Sequence, residues 1–346
     1  MIFLRFVLRF GQIFKNGTDF PLHMRGLITA GGKGTRFGLK ATNKHLAPVY
    51  GPAMIQNALS YLLNVGIEDV CIVTSPNQVG AFHEELGKGD SFEGKCGHPV
   101  RLHYATQENP LGGIADVIYQ GEEFATIRDK ENKIVGVHDL VVVLGDNIFK
   151  DDYFLVGGIK NFKEGAVAFC TRPSHDVLFE YNESRKSWQG RFGMLQREGD
   201  KVIKIEEKPL ATKDSDSILH LPKEFVAGEV LVGAYIFGTT HYKIISSILP
   251  PVHWPTHREE LSTKTVFDRI RELKPSPRGQ LEVTDLLLSY LKDDALSVAP
   301  EVKGWWCDCG NPETWMLSSL GLYAKKHGRD AVKQLYAQLE KMLGGE

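Results

Sequence analysis

The run Leu140-Val141-Val142-Val143-Leu144 is the strongest constraint on how this chain can fold. Five consecutive apolar residues, three of them β-branched, offer no polar face to water, which is the pattern of a central strand buried on both sides. Such a strand needs a layer above and a layer below. A helix is expected over Ala53–Val65, where Met54, Ile55, Ala58, Leu59, Leu62 and Leu63 recur at helical spacing and Gly66 is placed to end it. Shorter runs at Gly26–Ala30, Asp69–Thr74 and Arg101–Thr106 read as further strands. The alternation predicts an α/β fold: a Rossmann-like, mostly parallel mixed sheet flanked by helices. Expected strands at Val202–Glu207 and Val230–Phe237, with Pro-rich connections at Pro250–Pro255 and Lys274–Arg278, give the second half the look of a smaller β subdomain. Thr284 is the expected N-cap of a helix over Asp285–Lys292. One or two C-terminal helices are expected over Glu313–Leu343.

Residues 24–310 are expected to form the functional domain, and residues 311–346 a C-terminal helical segment. Residues 1–23 read as an N-terminal extension, disordered or belonging to a misplaced start codon, because Met24 stands directly before the first strand. Its apolar part, Met1–Phe14, is interrupted by Arg5 and Arg9 and falls short of the roughly 20 residues that span a bilayer. It also lacks the ordered regions of a signal peptide. The five cysteines (Cys71, Cys96, Cys170, Cys307 and Cys309) are odd in number and scattered, which suits a reducing cytoplasm better than a disulfide framework.

Charge sharpens the question of function. With 41 Lys plus Arg against 43 Asp plus Glu, the net charge of −2 argues against a general nucleic-acid binder. The balance is uneven, however. From Phe20 through Ile67 there is no acidic residue, where an even spread would place about six. The same tract carries Arg25, Lys33, Arg36, Lys40 and Lys44, so a small polyanionic ligand is expected there.

The residues at the strand ends agree. In parallel α/β sheets ligands gather at the carboxyl ends of the strands, and Ala30 there leads into Gly31-Gly32-Lys33-Gly34-Thr35-Arg36. Glycines let backbone amides close on phosphate oxygens, and Arg36 adds a guanidinium. A dinucleotide fingerprint would need glycine where Phe37 stands, and a Walker A loop would need Gly at 27 and Ser or Thr at 34. Gln107 follows another strand, and its amide can pair with the edge of thymine or uracil. Asp146, just past the buried run, would be costly to bury unless a cation paired it. Strand alternation puts Trp306, Asp308 and Gly310 on one face and Cys307 and Cys309 on the other. With no further ligands at suitable spacing, Cys307-x-Cys309 is not read as a zinc site.

These motifs together resemble the sugar-1-phosphate nucleotidyltransferases, most closely those that make dTDP-glucose. The resemblance rests on Gly31–Arg36, Asn43-Lys44-His45-Leu46-Ala47-Pro48-Val49, Gln107, Leu144-Gly145-Asp146-Asn147, Glu207-Lys208-Pro209, Arg278–Asp285 and Trp306-Cys307-Asp308-Cys309-Gly310. It covers roughly residues 24–310, in family order. It implies attack of a hexose-1-phosphate on the α-phosphate of dTTP, assisted by Mg²⁺, with release of pyrophosphate. It implies catalytic roles for Arg36, Lys44 and Asp146, and metal ligation by Asp146 and Asp308. Nucleotide contacts are implied for Ala30, Gly31, Gly32, Gly34, Thr35 and Gln107, with Gly112 or Gly113. Sugar-phosphate contacts are implied for Gly193, Glu207, Lys208, Arg278 and Trp306. A homo-oligomer is also implied. This chain departs from the family pattern at Phe37, in a shortened Gly38–Thr42, in the absence of lysine from Gly51-Pro52-Ala53, and in one extra residue within Gln107–Ala115.

Two alternatives stay open. UTP shares the thymine edge that Gln107 would read. A glycosyltransferase of similar architecture would also place a carboxylate after a strand, but as Asp-x-Asp, where Ile148 stands here. Deletion of Met1–His23 is expected to leave the melting temperature and turnover unchanged; loss of folding would overturn the reading of that segment as an extension.

Overall fold

The computed structural model describes residues 24–31, 43–95, 98–109, 111–199, 201–215, 217–225, 227–238 and 264–344. Within these the first strands are β1 (Met24–Ala30), β2 (Asp69–Thr74), β3 (Arg101–Thr106), β4 (Thr126–Arg128), β5 (Ile134–Val137), β6 (Asp139–Leu144), β7 (Asn147–Phe149) and β8 (Ala166–Thr171). There follow β9 (Phe179–Asn182), β10 (Ser187–Gly190), β11 (Gly193–Glu198), β12 (Lys201–Glu207), β13 (Thr212–Lys213), β14 (Leu219–His220), β15 (Val230–Phe237), β16 (Leu296–Val298) and β17 (Trp306–Asp308). A nine-stranded sheet has the order β11-β12-β16-β8-β15-β6-β1-β2-β3. The strands β6-β1-β2-β3 are mutually parallel, and β15 joins them antiparallel to β6. The fold is α/β with a mixed central sheet, as the sequence predicts.

The LVVVL run explains this arrangement. Leu140 and Val142 point to one face of the sheet and Val141 and Val143 to the other, and all four are fully buried. On the first face they meet Leu27 and Val73 under the helices Ile114–Tyr119, Val266–Glu272 and Val283–Lys292. On the second they meet Ile28 and Ile72 under the helix Met54–Asn64, whose Ile55, Ala58, Leu59 and Leu62 form the expected buried stripe. Parallel pairing of β6, β1, β2 and β3 brings Leu144, Ala30, Thr74 and Thr106 to one edge of the sheet.

The second half corrects one expectation. Thr284 does not cap a helix: the helix is Val283–Lys292 with Glu282 at its N-cap, and the Thr284 hydroxyl donates to Glu207 Oε2 at 3.2 Å. Thr284 already lies inside the helix, one residue past its first, and β12 brings the mostly buried Glu207 carboxylate to its hydroxyl. The C-terminal segment forms two helices, Pro312–His327 and Arg329–Met342, separated at Gly328. The first begins with a capping box of Asn311 and Thr314 and packs on the end of β17, where the Cys309 thiol donates to Ser318 Oγ at 3.0 Å. Cys71, Cys170, Cys307 and Cys309 are all free thiols. No helix among the described residues is long and apolar enough to cross a membrane.

Burial on both faces makes the central strands costly to truncate. Leu27→Ala is expected to lower the unfolding free energy by about 2–5 kcal/mol in urea titrations, whereas Tyr336→Ala, at a position 62% exposed, should change it by less than about 0.5 kcal/mol.

Candidate active site

Lys44 and Asp146 form the centre of the site. Lys44 Nζ lies 2.5 Å from Asp146 Oδ2, with both side chains mostly buried. Asn43 places the lysine: its Oδ1 accepts from the His45 backbone N–H at 3.0 Å, while its Nδ2 donates to the Ala30 carbonyl at 3.0 Å. The 3₁₀ turn Lys44–Leu46 is thereby tied to the carboxyl end of β1. Asp146 follows β6, the neighbour of β1, and Asn147 Nδ2 donates to its Oδ1 at 2.9 Å. Burial alone would raise the Asp146 pKa. The charge of Lys44, with the hydrogen bonds from Lys44 and Asn147, outweighs burial and holds the carboxyl below its usual range. Beneath them His45 is fully enclosed, with Nδ1 at 2.6 Å from Asn43 Oδ1; burial and then the Lys44 charge pull its pKa down to about 3.

A short strand pair supplies the second carboxylate. β17 runs antiparallel to β7 with Asp308 opposite Asn147, and the Cys309 N–H donates to the Asp146 carbonyl at 2.9 Å. Asp308 thus stands beside Asp146, as the sequence spacing alone could not show. Its carboxylate is 3.5 Å from Arg191 Nη2, and the Arg191 guanidinium also lies over the Phe192 ring. Trp306 Nε1 donates to Asn147 Oδ1 at 2.6 Å and packs edge-on against Phe192. Among the described residues no cluster of three or more His, Cys, Asp or Glu side chains is arranged for a metal.

At the ends of β1 and β3 the expected nucleotide residues meet. Gln107, only 2% exposed, places Oε1 against Gly31, 2.5 Å from where a Cβ would stand. Its Nε2 donates to Asp116 Oδ2 at 2.8 Å and to the Gly113 carbonyl at 3.3 Å. Gly112 and Gly113 differ in their backbone roles. Gly113 has φ +87° at the N-cap of the helix Ile114–Tyr119, a conformation that favours glycine. Gly112 accepts from the Leu281 N–H at 2.8 Å, and the Ala115 N–H donates to the Leu281 carbonyl at 3.0 Å. This pairing stitches the Gln107 loop to the Arg278–Asp285 stretch.

Of the residues expected at the sugar phosphate, Gly193, Glu207, Lys208 and Arg278 form a second group, while Trp306 lies with Asn147 and Phe192. Arg278 Nη2 is 3.1 Å from Glu207 Oε1 and 2.9 Å from Glu282 Oε1. Burial raises the Glu207 pKa, with Arg278 opposing. Gly193 passes so close that a Cβ there would stand 3.1 Å from Glu207 Oε2 and 2.8 Å from the Thr284 methyl. Lys208 Nζ pairs at 2.7 Å with Glu180, and Gln189 Nε2 donates to the same Glu180 oxygen at 2.8 Å. A cavity of about 1070 Å³ is walled by Glu180, Gln189, Glu207, Lys208, Arg278 and Glu282 among others. Gly32, Gly34, Thr35 and Arg36, with Phe37 and the Gly38–Thr42 stretch, lie outside the described residues. Reasoning from sequence missed Arg191, Glu180, Gln189 and Asp116. Arg191 had a local signal, since it lies two residues before Gly193.

Residues 25–258 match the nucleotidyl transferase family. The glucose-1-phosphate thymidylyltransferase of Neisseria gonorrhoeae is 30% identical over 295 residues, covering 84% of this chain and 80% of that protein. The enzyme of the same name from Mycolicibacterium smegmatis is 28% identical, covering 83% and 78%. Among solved structures, a glucose-1-phosphate thymidylyltransferase from Bacillus anthracis in complex with a sucrose superposes with a TM-score of 0.60 at 31% identity, covering 86% of this chain and 94% of that one. A UDP-glucose pyrophosphorylase complexed with UDP-glucose has the same TM-score of 0.60 at 17% identity, covering 87% and 99%, and shows a shared fold.

The enclosed histidine sets an acid limit on the site. Because His45 stays neutral when folded down to about pH 3, while an unfolded histidine takes its proton near pH 6.5, its contribution is complete above the latter value. It is lost as pH falls towards the former, by up to about 1.4 kcal/mol per pH unit. The Asp146 contribution is lost only at lower pH, below its unfolded value. Urea midpoints measured from pH 7 to pH 4.5 should therefore fall less steeply for His45→Gln than for the unmodified protein; equal slopes would show that His45 is not buried neutral.

Proposed function

The chain belongs to the nucleotidyl transferase family, and we propose that it transfers the thymidylyl group of dTTP to glucose-1-phosphate, giving dTDP-glucose and pyrophosphate. The observation that carries this reading is the Lys44–Asp146 pair at the carboxyl end of β6, with Asp308 brought beside it by β17. The named relatives above, identical at about 30% across most of both chains, support thymidine as the nucleoside and glucose as the sugar.

Two polyanions must approach each other for this reaction, so repulsion has to be neutralised before in-line attack on the α-phosphorus. In this reading Lys44 and Arg36 stabilise charge on the triphosphate as the displacement proceeds. Gly31, Gly32, Gly34 and Thr35, following Ala30, offer backbone amides to the phosphates. Lys208 and Arg278 hold the phosphate of the sugar, Glu207 accepts from its hydroxyls, and Gly193 lets the backbone come close to the ring. Trp306 closes the site beside Phe192. The sugar phosphate is already an ionised nucleophile, so no general base is required.

Asp146 and Asp308 fit a hard divalent cation, since two carboxylates leave further positions for phosphate oxygens and water, which suits Mg²⁺ better than a thiolate or imidazole site metal. Bound there, Mg²⁺ would supply charge neutralisation at the reacting phosphate. Each would-be ligand is also half of an ion pair, Asp146 with Lys44 and Asp308 with Arg191, so a cation and a phosphate could each take one member of the pair. Use of UTP is the second reading, because uracil shares the thymine edge offered to Gln107. Ile148, buried in β7, leaves no Asp-x-Asp and counts against a glycosyltransferase. The free thiols suit a reducing compartment such as the cytoplasm.

Pyrophosphate release with dTTP or UTP, crossed with several hexose-1-phosphates, tests the assignment directly. Asp146→Asn is expected to lower metal-dependent kcat/KM by about 100-fold or more, with the circular dichroism spectrum retained. Full activity in that variant would remove Asp146 from the metal site.

A further inference from the structure

Gln107 is held in one amide orientation by two groups that can only accept. An ionised carboxylate and a backbone carbonyl have no proton to give, and Gln107 Nε2 faces both: Asp116 Oδ2 at 2.8 Å and the Gly113 carbonyl at 3.3 Å. Turning the amide over would set its oxygen against two oxygens. Asp116 is itself anchored in the first turn of the helix Ile114–Tyr119, where Gln120 Nε2 donates to its other oxygen at 3.3 Å. Gln107 Oε1 lies against Gly31, directly after β1, and receives no hydrogen bond among the described residues. What this buried side chain presents to the nucleotide side is therefore an acceptor alone.

We propose that Asp116 is a specificity-determining positioning residue: by locking the Gln107 amide it makes the site select, among pyrimidine triphosphates, those whose ring N3 carries a proton. Thymine and uracil have that N3–H and can donate to Oε1. Cytosine has a lone pair at N3, and with the triphosphate and sugar anchored it meets Oε1 with like polarity. The lock deepens the proposed function and rests on Gln107 as the base-reading residue. Its discrimination is between N3–H and bare N3, and it leaves thymine and uracil equivalent.

Steady-state pyrophosphate release with dTTP and dCTP, at saturating hexose-1-phosphate, tests the lock in Asp116→Asn and Asp116→Glu. An asparagine at 116 can accept or donate, so the closer of the two contacts that oppose the turned-over amide is removed and only the longer one, to the Gly113 carbonyl at 3.3 Å, still favours the original orientation. The kcat/KM ratio of dTTP to dCTP should fall at least tenfold in Asp116→Asn, through KM for the nucleotide, with KM for the sugar phosphate within twofold. Asp116→Glu retains an acceptor-only group and should keep a ratio close to that of the unmodified enzyme. A merely structural role would lower turnover on both nucleotides alike and leave the ratio unchanged; that result overturns the proposal. Should the unmodified protein release no pyrophosphate from dTTP or UTP with any hexose-1-phosphate, the functional reading itself fails. The lock is then read from calorimetric binding of dTTP against dCTP, where a ratio unaltered by Asp116→Asn overturns it equally.

Discussion

A carboxylate buried at the end of a strand that is itself enclosed on both faces has to be paired, and the Lys44–Asp146 contact meets that requirement. Taking either charge out of water alone costs several kcal/mol, and breaking such a pair leaves the other uncompensated. The surrounding groups keep the two together: Asn43 fixes the lysine turn to β1, Asn147 holds the free oxygen of Asp146, and neutral His45 fills the space beneath without adding charge. The same logic recurs outward. Arg191 meets Asp308, Lys208 meets Glu180, and Arg278 meets Glu207. Among the described residues the site is thus dense in charge with its cations and carboxylates paired, which suits a reaction in which phosphates arrive and redistribute those partners.

The sheet order makes this possible. Parallel β6, β1, β2 and β3 deliver Asp146, Gly31 and Gln107 to one edge, while antiparallel β15 joins that half to the strands that carry Glu207 and Gly193. Two small devices close the distance between the halves. The β7–β17 pair returns the chain to set Asp308 beside Asp146, and the hydrogen bonds of Gly112 and Ala115 to Leu281 bring the Arg278 stretch against the Gln107 loop. Neither is part of the central sheet, and each adds a contact to the relation that the sheet already sets.

Features governed by local periodicity were legible from the residues. The LVVVL strand, the Met54–Asn64 helix and the strand-end positions of Gln107 and Asp146 all follow from which neighbours are apolar and at what spacing. Thr284 shows where such reasoning stops: its local pattern is that of a cap, but a carboxylate 77 residues earlier takes its hydroxyl. Glu180 and Gln189 carry no local mark at all. Their importance comes from a hairpin, β9–β10, folding onto Lys208.

Sequence by itself determined the α/β class, because an uninterrupted β-branched run permits little else than a strand between two helical layers. It determined the acid-free basic tract, because charge composition is additive along a chain. Only the tertiary structure decided which charges meet. Lys44 and Asp146 are 102 positions apart and Arg191 and Asp308 117 apart, and pairing depends on distances of a few ångströms. Those distances are set by strand order and register, which emerge from packing the whole sheet and are not encoded in any one segment.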